Sequence, residues 1–212
     1  LDIKGHVVER LLVAEASETV KYLNRRASAD RIIADPVGNI EVSLADGTQA
    51  SEGDLIITRR NDRRLRTLRG GWVRNGDRWT VTQVHKDGSM QVQRAGVDVN
   101  GSLALPTAYV AEHVDLGYAV TAHRAQGITV DTAHVVVSRG TTRENFYVSM
   151  TRGRESNIAY VALDTPDDGH TPPEPDDVNA HTVLYGVLQH TVAELSAHQT
   201  ISAEQERYSS TA

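Results

Sequence analysis

The chain has no cysteine in its 212 residues. That excludes a disulfide framework, a thiolate zinc site, an iron–sulfur cluster and a cysteine nucleophile. No apolar run approaches the ~20 residues that a membrane-spanning helix needs, so no membrane partner is expected. No signal-like segment opens the chain, which starts at Leu1 and reads as a processed product or a piece of something longer; a cytoplasmic setting is expected. The nine histidines are scattered without paired ligand spacing, so no metal site is expected. A phosphate-binding Gly-x-x-x-x-Gly-Lys-Ser/Thr loop is missing, and so is an acidic Mg²⁺ motif at a strand end. Positive charge is short as well: the net charge is −6, which taken whole argues against a nucleic-acid partner.

Resolved along the chain, the charge separates. Positions 59 to 78 hold eight arginines (59, 60, 63, 64, 66, 69, 74 and 78) against Asp62 and Asp77, a net of +6. Positions 164 to 177 hold six acids, no Lys or Arg, and four of the six prolines. Such a stretch cannot bury enough apolar surface to offset its ordering entropy, so 165–178 reads as an acidic, Pro-rich linker. The acidity of the linker cancels the basic stretch in the sum but not in space. The arginine run is either a solvated face or a nucleic-acid surface, and interleaved Trp72 and Trp79 favour the second. Trp79 alternates with Val81 and reads as core; Trp72, beside Gly70-Gly71, reads as exposed.

Periodicity divides the chain further. Val7–Ala14 reads as a buried strand, and Ser17–Ala29 as a helix with Ser17 at its cap. Asp46-Gly47 and Lys86-Asp87-Gly88 are hairpin turns between alternating runs. With Leu55–Thr58, Leu103–Leu105 and a further strand at Tyr109–Val110, positions 55–110 look like a small antiparallel barrel. After that the period changes. Leu116–Val120, Ala133–Ser138 and Ile158–Leu163 are buried-strand candidates, with helical turns at Thr121–Gly127 and Thr142–Arg152. That order predicts an α/β parallel sheet interrupted by an all-β insert. Val183–Leu195 carries apolar residues at helical spacing.

Two segments carry chemistry. In Gly117–Gly127, Thr121, His123, Arg124 and Gln126 crowd the end of a strand, where ligands bind open α/β sheets; such residues also make ordinary helix caps. In Phe146–Glu155, Arg152 and Arg154 flank a glycine at a helix end. They complement the macrodipole or stabilise charge on a phosphoryl group. The pattern YAVTAHRAQGITVDTAHVVV followed by FYVSMTRGRES resembles motifs V and VI of superfamily 1 helicases. The similarity is to the RecD-like branch and, within it, to the C-terminal helicase part of MobF-type conjugative relaxases. Gly53–Asp62 is similar to the family's strand leading into its barrel, and Trp72–Asp77 to the Asn-Gly-Asp turn after it.

The resemblance implies a second RecA-like domain, of the P-loop NTPase type but lacking the P-loop, from 1–57 with 112–164. It implies an SH3-like barrel inserted at 58–111, then the linker and a C-terminal helical segment at 179–212. It implies roles as well. Arg152 would be the arginine finger of an ATP-driven 5′→3′ DNA translocase. Gln126 and Gly127, with Arg154 as a second contact, would line the ATP side; Arg154 would otherwise pair with Glu155 or Asp164. Thr121, His123 and Arg124 would face single-stranded DNA. Arg59, Arg60, Asn61, Arg63, Arg64, Arg66, Trp72 and Arg74 would form its basic, stacking surface. ATP and Mg²⁺ would be bound only by a full-length protein that includes the first RecA-like domain, which is absent here, so this chain alone is expected to hydrolyse nothing. Thr129 stands where many relatives carry a ribose-contacting glutamate, and Ala14-Glu15-Ala16-Ser17 where many carry Ala-Pro-Thr. The alternative class is an inert DNA-binding or protein-interaction module derived from a helicase.

Overall fold

The computed structural model describes residues 8–36, 40–67, 70–95, 101–163 and 179–191. The expected linker at 165–178, Arg69 and positions 192–212 lie outside the described residues. No helix among the described residues is long and apolar enough to cross a membrane.

β1 (Arg10–Ala14) leads into α1 (Ser17–Ala34). The helix is longer than 17–29, and Ser17 is its first residue rather than its cap: Ala16 holds the cap position and no side chain caps it. The chain then enters β2 (Val42–Ser43) and β3 (Gln49–Ala50), a hairpin turned by Asp46-Gly47 as expected. Next come β4 (Leu55–Thr58), β5 (Asp62–Arg66), β6 (Trp72–Val73), β7 (Arg78–Val84), β8 (Met90–Arg94) and β9 (Ser102–Leu105). α2 (Thr107–His113) and β10 (Val114–Leu116) close this region. The strand expected at Tyr109–Val110 is the middle of α2. Two adjacent apolar residues carry no period, and Pro106, extended at the cap position, starts a helix there. Both residues are buried in the barrel core with Ile56, Trp79, Val81, Met90, Val92 and Leu105.

The antiparallel sheet runs β10-β4-β7-β8-β9. It includes β4 and β10, so the barrel extends past the expected bounds of 58–111 at both ends. Trp79 is fully buried in it, as its alternation predicts. β5 and β6 pair only with each other and form a separate ribbon.

The rest is α/β. β11 (Ala119–Thr121), α3 (Ala122–Ala125), β12 (Val130–Val137), α4 (Arg143–Ser149), β13 (Gly153–Val161) and α5 (Ala180–Gln189) follow in order. β1 sits between β11 and β12, and the order β11-β1-β12-β13 is parallel throughout. α5 ends at Gln189, short of the expected Leu195, and packs Val183 and Val187 on the sheet core.

The run Leu116–Val120, expected as one strand, belongs to two sheets. Leu116 pairs with Ile56 in the barrel, while Ala119 starts β11 beside Leu12. The switch occurs at Gly117, where a Cβ would lie 2.7 Å from the Ile56 carbonyl carbon, so only glycine fits. On the facing strand, Ile56 points into the barrel core and Ile57 into the sheet core. The period of two thus fastens one strand to both bodies, and each buried isoleucine contributes about 1.5–3 kcal/mol.

Candidate nucleic-acid interface

α3 begins where β11 ends. Thr121 caps it, its Oγ1 accepting from the Arg124 backbone N–H at 3.4 Å. In a parallel sheet this is the carboxyl edge, where loops can meet a ligand. α1 fixes the height of β11, because the buried Asn24 side chain accepts from Ala119 N (2.7 Å) and donates to Ala119 O (3.0 Å). His123, Arg124, Gln126 and Gly127 are exposed. They line a cavity of about 460 Å³ together with Arg59 and the barrel turn Arg74–Asp77. Arg59, Arg74, His123 and Arg124, expected to face DNA, therefore share one opening with Gln126 and Gly127, expected to face ATP, whereas Thr121 lines a different cavity and Arg154 does not line this one.

A larger cavity, about 580 Å³, lies on the other side of the seam between α1 and the barrel. Arg59 and Arg124 line both. Between them stands Asp115, buried on β10, which accepts a hydrogen bond from Arg59 and lies 3.7 Å from Arg124. Burial raises the Asp115 carboxyl pKa above its ordinary value, against the pull of both guanidiniums; burial likewise lowers that of Arg124.

The arginine run projects along the β5–β6 ribbon. Trp72, half-buried, has the Arg63 guanidinium 5.5 Å from its ring centroid and that of Arg74 at 5.0 Å. Arg66 donates to the Arg63 carbonyl at 3.3 Å. Arg63, Arg66 and Arg74 pair with no carboxylate among the described residues. Arg64 forks onto Asp62 at 3.0 and 2.7 Å and holds that carboxyl down at about 2. Arg60 contacts His113 Nε2 at 3.0 Å, and its carbonyl accepts from Tyr109. Asn61 Oδ1 accepts from Asn75 N at 2.9 Å, tying the ribbon to the barrel turn. Arg78 is not part of this surface. It reaches into the seam and donates to the carbonyls of Arg10 (2.7 Å) and Gly117 (3.3 Å).

Arg152 ends α4. Its Nε donates to Val148 O and its Nη2 to Thr151 Oγ1, both at 2.8 Å, so here it complements the helix C-terminus. No carboxylate pairs with it among the described residues. Its carbonyl accepts from Val130 N (3.0 Å), which places it beside the 126–129 segment. Arg154 is held by Glu9 (3.6 Å) and Asp131 (3.5 Å); Glu155, one partner the sequence offered, does not pair with it, and Asp164, the other, lies outside the described residues. The glycine between the two arginines is a packing requirement: a Cβ at Gly153 would meet Ser156 O at 2.1 Å and Ala133 N at 2.9 Å.

Sequence reasoning passed over Asp115, Asn24 and Asp54. Asp54, fully buried, accepts from Ser28, Arg31, Ser51 and Tyr118, joining α1 to the barrel and to the start of β11. The available signal was a lone acid inside an apolar run, Val114-Asp115-Leu116, because such a charge is kept only if paired.

Residues 42–115 match the family described as the Rv2311 SH3-like barrel domain. Its match extends past 58–111 at both ends, in agreement with the strand pairing. The chain is 39% identical over 97 residues to an uncharacterised protein, Rv2311, of Mycobacterium tuberculosis, covering 46% of this chain and 55% of that one. It is 30% identical over 154 residues to a probable conjugal transfer protein, TraA, of Sinorhizobium fredii, covering 71% of this chain and 13% of the relative. The matches thus span about half of the first relative and a small part of the second. Among solved structures, a Bacteroides Pif1 helicase in complex with ADP-AlF3 and ssDNA is 17% identical, covering 71% of this chain and 40% of that one, with a TM-score of 0.48. A Pif1 helicase from Candida albicans is 14% identical, covering 75% and 46%, with a TM-score of 0.47. In architecture the chain is a parallel α/β sheet into which the SH3-like barrel is inserted between β1 with α1 and β11.

Proposed function

We propose that this chain is the C-terminal helicase part of an ATP-dependent DNA translocase belonging to a conjugative relaxase. In this reading it supplies motifs V and VI and grips single-stranded DNA. The observation that carries the reading is the shared cavity, in which α3 and the barrel turn bring Arg59, Arg74, His123, Arg124 and Gln126 around one opening. The arginine ribbon, with the Arg63 and Arg74 guanidiniums over Trp72, supplies cations for the strand's phosphates next to an aromatic ring. The similarity to a probable conjugal transfer protein supports the wider setting.

ATP with Mg²⁺, held by the phosphate loop of a first RecA-like domain, would supply the phosphoryl group. Arg152 fits the outer side of such a site, because its charge is not neutralised by any carboxylate among the described residues. In its working position the guanidinium leaves the α4 terminus and meets the developing phosphate charge. Gln126 and Gly127 sit on the same segment and link that contact to the strand-facing Thr121, His123 and Arg124. Arg154, already held by two carboxylates, positions β13 and is the weaker ATP candidate.

The test is Arg152→Ala in the full-length protein. ATPase activity is expected to fall by about 10³-fold or more, with oligonucleotide affinity within twofold of wild type. Unimpaired turnover would remove the finger assignment. The second reading, an inert DNA-binding module, is favoured by the Mycobacterium tuberculosis relative, a short chain of which 97 matched residues make up 55%. It predicts strand binding without strand-stimulated ATPase in the full-length protein.

A further inference from the structure

Asp115 touches both bodies through charge at the seam, on the side of α3. It lies on β10 of the barrel sheet and is 6% exposed. Arg59 reaches it from just beyond β4, and Arg124 reaches it from α3. The two arginines are not held alike. Arg59 donates a hydrogen bond, whereas Arg124 stands 3.7 Å away with 41% of its side chain exposed. Two guanidiniums on one carboxylate leave an excess charge of one, shared between the two cavities that both arginines line. A buried carboxylate left with no guanidinium would be costly, but Asp115 can give up the weaker partner and keep the stronger.

We infer that Asp115 is a positioning residue that competes with a phosphate of the bound strand for Arg124, so that strand entry releases α3 from the barrel while Arg59 stays in place. This rests on the single-strand reading above and adds to it the device by which strand occupancy reaches α3. The exchange balances: Arg124 trades one anionic oxygen for another, and Asp115 keeps the Arg59 hydrogen bond. Asp46, the other carboxylate near the pair, accepts from the backbone N–H (2.9 Å) and hydroxyl (2.6 Å) of Thr48; its charge acts on Arg124 from the wall of the larger cavity and offsets part of the excess charge without a hydrogen bond to either arginine.

The experiment measures fluorescence anisotropy of a labelled oligo(dT) with the 212-residue chain across a salt series. The samples are wild type, Asp115→Asn, Asp115→Glu and Arg124→Gln, each checked for folding by thermal melt. Asp115→Asn frees the cluster, so binding is expected to be about fivefold tighter at low salt, with a log–log slope steeper by about 0.7. Asp115→Glu restores the carboxylate and is expected to keep the wild-type slope. Arg124→Gln, expected to fold because half its neighbours are solvent, should flatten the slope by about 0.7. It carries the test if Asp115→Asn fails to fold. Wild-type binding with slopes unchanged in Asp115→Asn or Arg124→Gln overturns the inference and leaves the strand reading standing. No binding by any folded variant overturns both.

Discussion

Arg59 and Arg63 stand four residues apart in the same basic run and meet opposite fates. Arg59 rests on a buried carboxylate at the seam between two cores. Arg63 lies in the open over Trp72 with no carboxylate to neutralise it. Arg78 and Arg94 join the first kind: one hydrogen-bonds to backbone carbonyls in the seam, the other forks onto Asp77 at 2.9 and 2.8 Å. Arg66 and Arg74 join the second. A run of like charge therefore does not delimit a binding surface. The surface is the subset whose charge the fold has not already used.

The largest expected effect is on the structural side of this division. Asp54 accepts hydrogen bonds from four residues and pairs with Arg31 at 3.1 Å while fully buried. Asp54→Ala leaves the Arg31 guanidinium without its carboxylate and the Ser28, Ser51 and Tyr118 O–H groups without their acceptor. A loss of about 3–5 kcal/mol in urea unfolding is expected. A loss under 1 kcal/mol would mean that α1 is not fastened to the barrel through this carboxylate.

The opposite signature is expected on the ribbon. Replacing Arg63, Arg66 and Arg74 together by Gln should leave the unfolding midpoint nearly unchanged. Strand affinity should fall by about tenfold or more at low salt, with the salt slope shallower by about 2, because three phosphate contacts go. If the triple variant unfolds early and binds normally, the division is wrong in sign.

How much of this was legible depends on distance along the chain. The hairpins at Asp46-Gly47 and Lys86-Asp87-Gly88 were readable because their turn chemistry is local. The alternation of Trp79 with Val81 was readable for the same reason. The division of Leu116–Val120 between two sheets was not, since sheet membership depends on the approach of Ile56 to Gly117, some sixty residues away. The arginines of the site were legible as residue types, and so was the cap at Thr121. What they do was not. Asp115 sits 56 residues from Arg59 and nine from Arg124, and no local pattern says that one acid serves both. Of the structural partners considered for Arg154, Glu155 was a chain neighbour; Glu9 was not legible, since it reaches Arg154 only because β1 lies beside β12.

The finest test stays within the ribbon. Arg63 and Arg64 are adjacent, both exposed, and differ only in their neighbours. Arg64 is clamped by Asp62, whose carboxyl stays ionised at any pH above about 2. Its positive charge is therefore matched across the whole working range, whereas that of Arg63 is free to meet a phosphate. Arg63→Gln should weaken oligonucleotide binding by about threefold at low salt, and the double variant Asp62→Asn with Arg64→Gln by less, since the wild-type pair presents almost no net charge. Asp62→Asn should do the reverse of both and tighten binding, by unclamping Arg64. These effects are small, but their order is strict. Equal losses from Arg63→Gln and from the Asp62→Asn, Arg64→Gln double variant would mean that the strand reads total arginine count and not unpaired charge, and the contrast between Arg59 and Arg63 would then lose its functional meaning.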